Sequence, residues 1–164
     1  MKDVTTILGI DPGLADTGYG IITNRSGKLI CLDYGSIKTK ATLDLIDRLA
    51  IINAELNKII KKYRPDCLAV EQIFFCKNVK TALLVGQARG VILFTAKQNK
   101  LPAVEFTPLQ IKQAVSGYGQ AGKEQVQKMV KLLLNLKELP TPDDAADALA
   151  IAICAANSTS LTSY

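Results

Sequence analysis

Four acidic residues carry most of the chemistry open to this sequence: Asp11, Glu71, Asp144 and Asp147. Asp11 closes the apolar run Ile7-Leu8-Gly9-Ile10, and Glu71 closes Leu68-Ala69-Val70. A carboxylate at the end of a core strand is costly to bury unless something positive pairs with it. In open α/β sheets, ligands gather at the carboxyl ends of strands. Asp144 and Asp147 are three apart at the start of a helical stretch, so they share a face. Singly, each acid has a plainer explanation: Asp11 before Pro12-Gly13 can shape a turn, and Asp144 favours a helix N-terminus. Together, an all-oxygen set from the start, middle and end of the chain points to a hard divalent cation such as Mg²⁺. Two such ions about 4 Å apart activate a water and stabilise the leaving oxygen in phosphodiester cleavage.

Histidine is absent. That excludes a Ser-His-Asp triad, a Cys-His pair and histidine-ligated zinc. Acid–base work falls to carboxylates, Lys, Tyr or Cys, which strengthens the metal route.

The basic residues are unevenly spread. Between residues 107 and 137 stand Lys112, Lys123, Lys128, Lys131 and Lys137 against the single acid Glu124, a net 5 − 1 = +4. Lysines facing phosphates raise affinity without reading base sequence; a solvated helix face is the alternative. Beyond Glu71 the chain stays apolar through Gln72-Ile73-Phe74-Phe75. Phe74 or Phe75 could stack on an exposed base, worth roughly 1–3 kcal/mol, or both could be core. Gly86 and Gly90 form a GxxxG spacing, which suits either close packing on this chain's own sheet or a seam with a second copy.

Gly117 to Lys123 satisfies both GxGxxG and GxxxxGK, but a nucleotide loop needs a strand before it and a helix after it. Residues 111–115 read as helix, and Glu124 stands where a P-loop needs Ser or Thr. A loop that approaches a phosphate backbone fits better.

The elements that position these residues follow from periodicity. Strands are expected at 5–10, 18–23 and 29–37, joined by short turns as an antiparallel meander. Helical spacing then runs over 42–63 and stops before Pro65. A strand at 67–70, a helix at 79–98 and a strand at 103–106 come next. Helices at 108–115, 123–134 and 143–156 close the chain. Three meander strands followed by alternating helix and strand make a mixed α/β sheet.

The chain has 164 residues, 48% of them hydrophobic, and a net charge of +5. That suits one domain with a real core and excludes a disordered chain. The charge favours a polyanionic partner modestly. Cys31, Cys67, Cys76 and Cys154 form no CxxC pair and sit in or beside apolar runs, as free thiols do in a reducing cytosol. No signal-like or bilayer-spanning run is evident. The expectation is therefore a cytoplasmic protein with no membrane partner.

Several motifs together resemble a known family. Gly9-Ile10-Asp11-Pro12-Gly13 with Thr17-Gly18-Tyr19-Gly20 is similar to the opening of the RuvC family, the bacterial Holliday junction resolvases. Ala69-Val70-Glu71-Gln72 resembles its second motif, Lys77-Asn78 and Gly86-Gln87-Ala88-Arg89-Gly90 its following helix, and Asp144-Ala145-Ala146-Asp147-Ala148-Leu149-Ala150 its last motif. The resemblance covers nearly the whole chain, in order.

It implies a ribonuclease H-like fold, a mixed five-stranded sheet flanked by helices. One nuclease domain would span residues 1–157, with a short tail at 158–164. It also implies a homodimer that cuts two strands of a four-way DNA junction symmetrically, in recombination and repair. The cofactor would be Mg²⁺, with Mn²⁺ as a substitute and two ions per site, held by Asp11, Glu71, Asp144 and Asp147. Phe74 falls on an aromatic that opens or stacks junction bases, and Lys112 and Lys123 fall on DNA-contacting lysines. Lys77 and Arg89, in the matched helix region, join them as expected DNA contacts. Some relatives have histidine at the position of Asp144. RuvA and RuvB are the branch-migration partners the family implies. A two-fold dimer suits a junction of approximate two-fold symmetry. Asp143 is an acid without a place in this scheme, and either Asp144 or Asp147 could serve mainly as the base. The rivals are a ribonuclease H-like enzyme acting on RNA, a lobe of an actin-like kinase, and a non-catalytic junction-binding module.

Overall fold

A computed structural model describes residues 4–73 and 78–158. Three strands form the meander: β1 (Val4–Asp11), β2 (Asp16–Arg25) and β3 (Lys28–Lys38). Then come α1 (Leu45–Tyr63), β4 (Cys67–Glu71), α2 (Val79–Gln98), β5 (Ala103–Phe106), α3 (Pro108–Ser116), α4 (Lys123–Leu133) and α5 (Asp143–Ala156). The sheet order is β3-β2-β1-β4-β5. β1 pairs antiparallel with β2 and parallel with β4, and β4 pairs parallel with β5. This is the mixed sheet expected from the change of period at residue 42.

Strand alternation sorts the core into two layers. Ile7, Ile22, Ala69 and Val104 pack with α3, α4 and α5. Leu8, Ile10, Ile21, Leu68 and Val70 pack with α1 and α2. Helix ends follow their local signals. Asp44 caps α1 by accepting from the Asp47 N–H, and Arg64 ends it in the left-handed conformation before Pro65. Thr107 and Gln110 form a reciprocal capping box at α3, with Pro108 in its first turn.

Helix α5 positions the site. It lies across the sheet, and from Ala145 to Ala155 every residue except Asp147 is buried. Its alanines keep the helix thin, and two strand glycines let its backbone touch the sheet. A Cβ on Gly9 would lie 2.1 Å from the Ala148 carbonyl oxygen, and one on Gly18 would lie 1.9 Å from that of Asp144. Neither position tolerates a side chain, and both belong to the opening motif.

Helix α2 is 20 residues long with a mean hydropathy of 1.3, enough by length and composition to cross a membrane. The sequence expectation overlooked it because Lys80, Arg89 and Lys97 interrupt the run. Ala88, Ile92, Thr95 and Ala96 pack one face of it into the layer it shares with α1, while Val79, Leu83 and Phe94 stay exposed.

Candidate active site

β1 and β4 are parallel neighbours, with Ile10 opposite Val70. Each runs one residue further than the sequence spacing suggested, so Asp11 and Glu71 are the last residues of adjacent strands. On the other side Asp11 pairs with Gly18 of β2, and the Asp144 backbone rests on Gly18. That stacking brings the first turn of α5 over the end of β1. Asp147, one turn on, faces a cleft of about 310 Å³ together with Glu71, Lys112 and Lys123. A second cleft of about 220 Å³ joins Asp11, Pro12 and Gln72 to the same Glu71. The turn after β1 is held by the Thr17 hydroxyl, which donates to the Gly13 carbonyl at 2.6 Å.

The electrostatics follow from bringing four acids near one another at the strand ends. Burial, and then the charges of Asp147, Glu71 and Asp144, push the Asp11 carboxyl up to about 8, with only Lys123 opposing. Burial also raises Glu71, reinforced by Asp147 and opposed by Lys112. Asp144 is raised by burial and then by Asp16, and Asp147 by burial against the pull of Lys123. Burial alone would lower the Lys123 ammonium, but Asp147 and Asp143 outweigh it and raise it. Carboxylates that raise one another in this way are found at cation sites and catalytic clusters, and also in structural acid networks.

The donor set is all oxygen, which suits Mg²⁺ or Mn²⁺. Among the described residues no three acids stand close enough together to hold a metal ion between them. A Mg²⁺ ion takes one or two carboxylates and keeps several waters, so an open groove fits it. Positive charge at the groove now comes from Lys123, whose Nζ lies 3.4 Å from Asp147 Oδ2 and 3.2 Å from Asp143 Oδ2.

The other expected residues divide. Lys112 on α3 and Lys123 at the start of α4 both line the cleft. Lys128 is paired with Glu124 on the helix surface, 2.6 Å away. Arg89 is bound by the Glu105 carboxylate of β5, and its side chain is 19% exposed; it serves an ion pair between α2 and β5. Phe74, Phe75, Cys76 and Lys77 lie outside the described residues. The glycine-rich segment follows helix α3, so the nucleotide-loop context is absent. Cys31, Cys67 and Cys154 are free, and burial pushes their thiols up to about 11, 12 and 11, as expected of inert core thiols.

Sequence reasoning left one acid beside the site, Asp143, without a role and missed another, Asp16. Asp143 joins Lys123 to Gln127, whose Nε2 donates to Asp143 Oδ1 at 3.1 Å. The four-residue spacing of Lys123 and Gln127 on one helix was the available signal. Asp16 opens β2 on the face of Gly18 and has a buried Oδ1 without a hydrogen-bond partner; only the strand period linked it to α5.

Comparison with known proteins identifies the family. The family model described as crossover junction endodeoxyribonuclease RuvC matches residues 7–155. The crossover junction endodeoxyribonuclease RuvC of Halothermothrix orenii is 60% identical over 152 residues, covering 93% of this chain and 92% of that protein. That of Alkaliphilus oremlandii is 54% identical over 156 residues, covering 95% of each. A Thermus thermophilus RuvC structure in complex with Holliday junction substrate superposes with a TM-score of 0.87 at 36% identity, covering 92% of both chains. The strand ends, the glycines beneath α5 and all four acids fall inside the matched span, and the chain belongs to the RuvC family of crossover junction endodeoxyribonucleases.

Proposed function

We propose that this chain resolves four-way Holliday DNA junctions by metal-dependent hydrolysis of phosphodiester bonds, in recombination and repair. One observation carries the reading. Asp147 and Glu71 line one cleft with Lys112 and Lys123, Asp11 shares a second cleft with the same Glu71, and Asp144 stands close enough for its charge to raise the Asp11 carboxyl. The Thermus thermophilus relative was solved with a Holliday junction substrate. A single sheet with helices on both faces supports one nuclease unit across residues 1–157. A protein with this proposed substrate would act in the cytoplasm.

Asp11, Glu71, Asp144 and Asp147 would hold Mg²⁺ or Mn²⁺, two ions in this reading, and the bound cations would supply Lewis acidity and a nucleophilic water at neutral pH. The chain's residues do the rest. The four carboxylates stay fixed because two sit on sheet strands and two on a helix seated against glycine. Asp11 holds its proton to about pH 8, so the groove binds a cation more readily as pH rises. Lys112 and Lys123 oppose the charge of the incoming phosphate and fix its depth without reading bases.

The protein acts as a homodimer in this reading, and α2 supports it. Val79, Leu83 and Phe94 are exposed and, with Gly86 and Gly90 between them, follow a helical stripe. A Cβ on Gly90 would meet nothing within 4 Å, so this chain's own packing does not require that glycine. A second copy laid along the stripe would use it. Leu83→Lys then yields monomer by sedimentation, whereas an unchanged oligomer would place the seam elsewhere. Association with RuvA and RuvB is proposed from the family likeness and is tested by co-sedimentation on a junction.

The central test compares a synthetic four-way junction with a linear duplex of matching sequence, in Mg²⁺ or chelator, beside Asp144→Asn. Paired nicks confined to the junction, lost in chelator and in the variant, support the proposal. Junction binding without cutting under Mg²⁺ or Mn²⁺ would favour a non-catalytic module, and cutting of RNA in preference would favour the RNA nuclease.

A further inference from the structure

Lys123 is the first residue of α4 and follows a glycine-rich loop whose capping residue, Gly122, provides no side-chain hydrogen bond. Its flexible stem ends beside a groove lined with acids. Unrestrained, a compact ammonium on four methylenes collapses toward the most negative point it can reach, which here is the carboxylate groove itself. It does not settle there alone. Its Nζ is shared between Asp147 Oδ2 at 3.4 Å and Asp143 Oδ2 at 3.2 Å. Asp143 faces out of the groove, with its side chain 67% exposed. Its other oxygen accepts from Gln127 Nε2 at 3.1 Å. Lys123 and Gln127 therefore grip both oxygens of one carboxylate from one face of α4, and that carboxylate sits in the first turn of α5.

We infer that Asp143 is a positioning residue: it tethers the Lys123 ammonium at the rim of the groove, where a phosphate arrives, and keeps it off Asp147. A cation neutralising Asp147 would repel Lys123 from that oxygen. Asp143 then remains its partner, and the ammonium's other donors turn outward to the DNA backbone. Without Asp143, Asp147 is the only anion among the two that Lys123 now bridges, and lysine and metal compete for it. This inference rests on the function proposed above.

The test is a double-mutant cycle of Asp143→Asn with Lys123→Ala. Asparagine keeps the shape and can still accept from Gln127 but cannot hold the ammonium by charge. In the wild-type background, Asp143→Asn should weaken Mn²⁺ binding measured without DNA by about two- to fivefold, the size a half-exposed ion pair transmits. It should slow single-turnover junction cleavage at low Mg²⁺ by a similar factor, and Asp143→Glu should recover most of both. In the Lys123→Ala background, Asp143→Asn should change neither quantity, since the group it acts through is gone. Equal losses in both backgrounds would overturn the inference and make Asp143 one more negative charge near the groove. No loss in either would overturn it too. Failure of the wild-type protein to cut junctions would instead refute the proposed function, and the Mn²⁺ cycle would still decide the tether.

Discussion

Replacing Asp11 with asparagine should stabilise the metal-free protein at pH 8 while abolishing cleavage. The folded state holds the Asp11 proton up to about pH 8, against an ordinary carboxyl value of 3.8. In the unfolded chain the carboxyl ionises near that lower value. Between the two, the unfolded state has released a proton that the folded state still binds, so unfolding gains on folding as pH rises. Stability contributed at Asp11 is therefore fully present at low pH and drains away up to about pH 8. The ceiling is the shift multiplied by 1.36 kcal/mol per unit, about 6 kcal/mol. Water entry and side-chain relaxation reduce it, and about 3 kcal/mol is expected, or roughly 6–12 °C in melting temperature for a domain of this size.

Burial is the largest cause of the shift, and asparagine carries no charge to desolvate. The assay is urea or thermal unfolding in chelator from pH 5 to 8.5, wild type beside Asp11→Asn. Wild-type stability should fall across that window and the variant's should fall less, with a residual slope from Glu71, Asp144 and Asp147, which are raised in the same direction. Adding Mg²⁺ at pH 8 should restore wild type more than the variant. Parallel pH slopes for the two proteins would refute the reasoning, because Asp11 would then carry no strain from its neighbours.

Three further outcomes follow from the packing. Gly18→Ala would set a Cβ 1.9 Å from the Asp144 carbonyl oxygen; it should lift the first turn of α5 and cut cleavage by about 100-fold or more, measured on protein shown folded by circular dichroism. Arg89→Gln and Glu105→Gln should each lower the melting temperature, and the double variant should cost no more than either, because they form one partly buried pair. Cys31, Cys67 and Cys154, with thiols raised to about 11, 12 and 11, should resist iodoacetamide at pH 8 until the protein is unfolded, as mapped by mass spectrometry.

The strands and the acids that end them were legible in the sequence because both signals are local. Alternation along residues 5–10 already separates Ile7 from Leu8, and the sheet sends those two side chains to different layers. Strand ends were drawn short because Asp11 and Glu71 are polar, yet ladder pairing with Gly18 and Phe106 carries each strand through its acid. Contacts between distant elements were not legible. The Arg89 pair depends on α2 lying against β5, and Glu105 is 16 positions away in sequence. The motif alone suggests a DNA contact for Arg89, and its pairing with Glu105 becomes visible only once the strand is in place. Asp143 looked superfluous for the same reason: its meaning depends on the approach of α4 to the first turn of α5.

Helix α5 shows how packing and function are joined here. An alanine-rich stretch has little side-chain surface to bury, so its large role in the core comes from closeness. Against Gly9 and Gly18 the helix backbone meets the sheet directly, and that contact sets where Asp144 and Asp147 stand relative to Asp11. The same closeness brings four acids near one another, and all four carboxyls are raised, a cost the fold must carry. The N-terminal end of a helix offers partial positive charge to Asp143 and Asp144 in its first turn, but this falls off within that turn. Asp11 and Glu71 gain little from it, and Lys112 and Lys123 offset the remainder only in part. If the acids hold a divalent cation as proposed, its binding should raise the stability of the fold. Mutations that relieve the acid cluster should therefore trade activity for metal-free stability, while those at Gly9 or Gly18 should lose both.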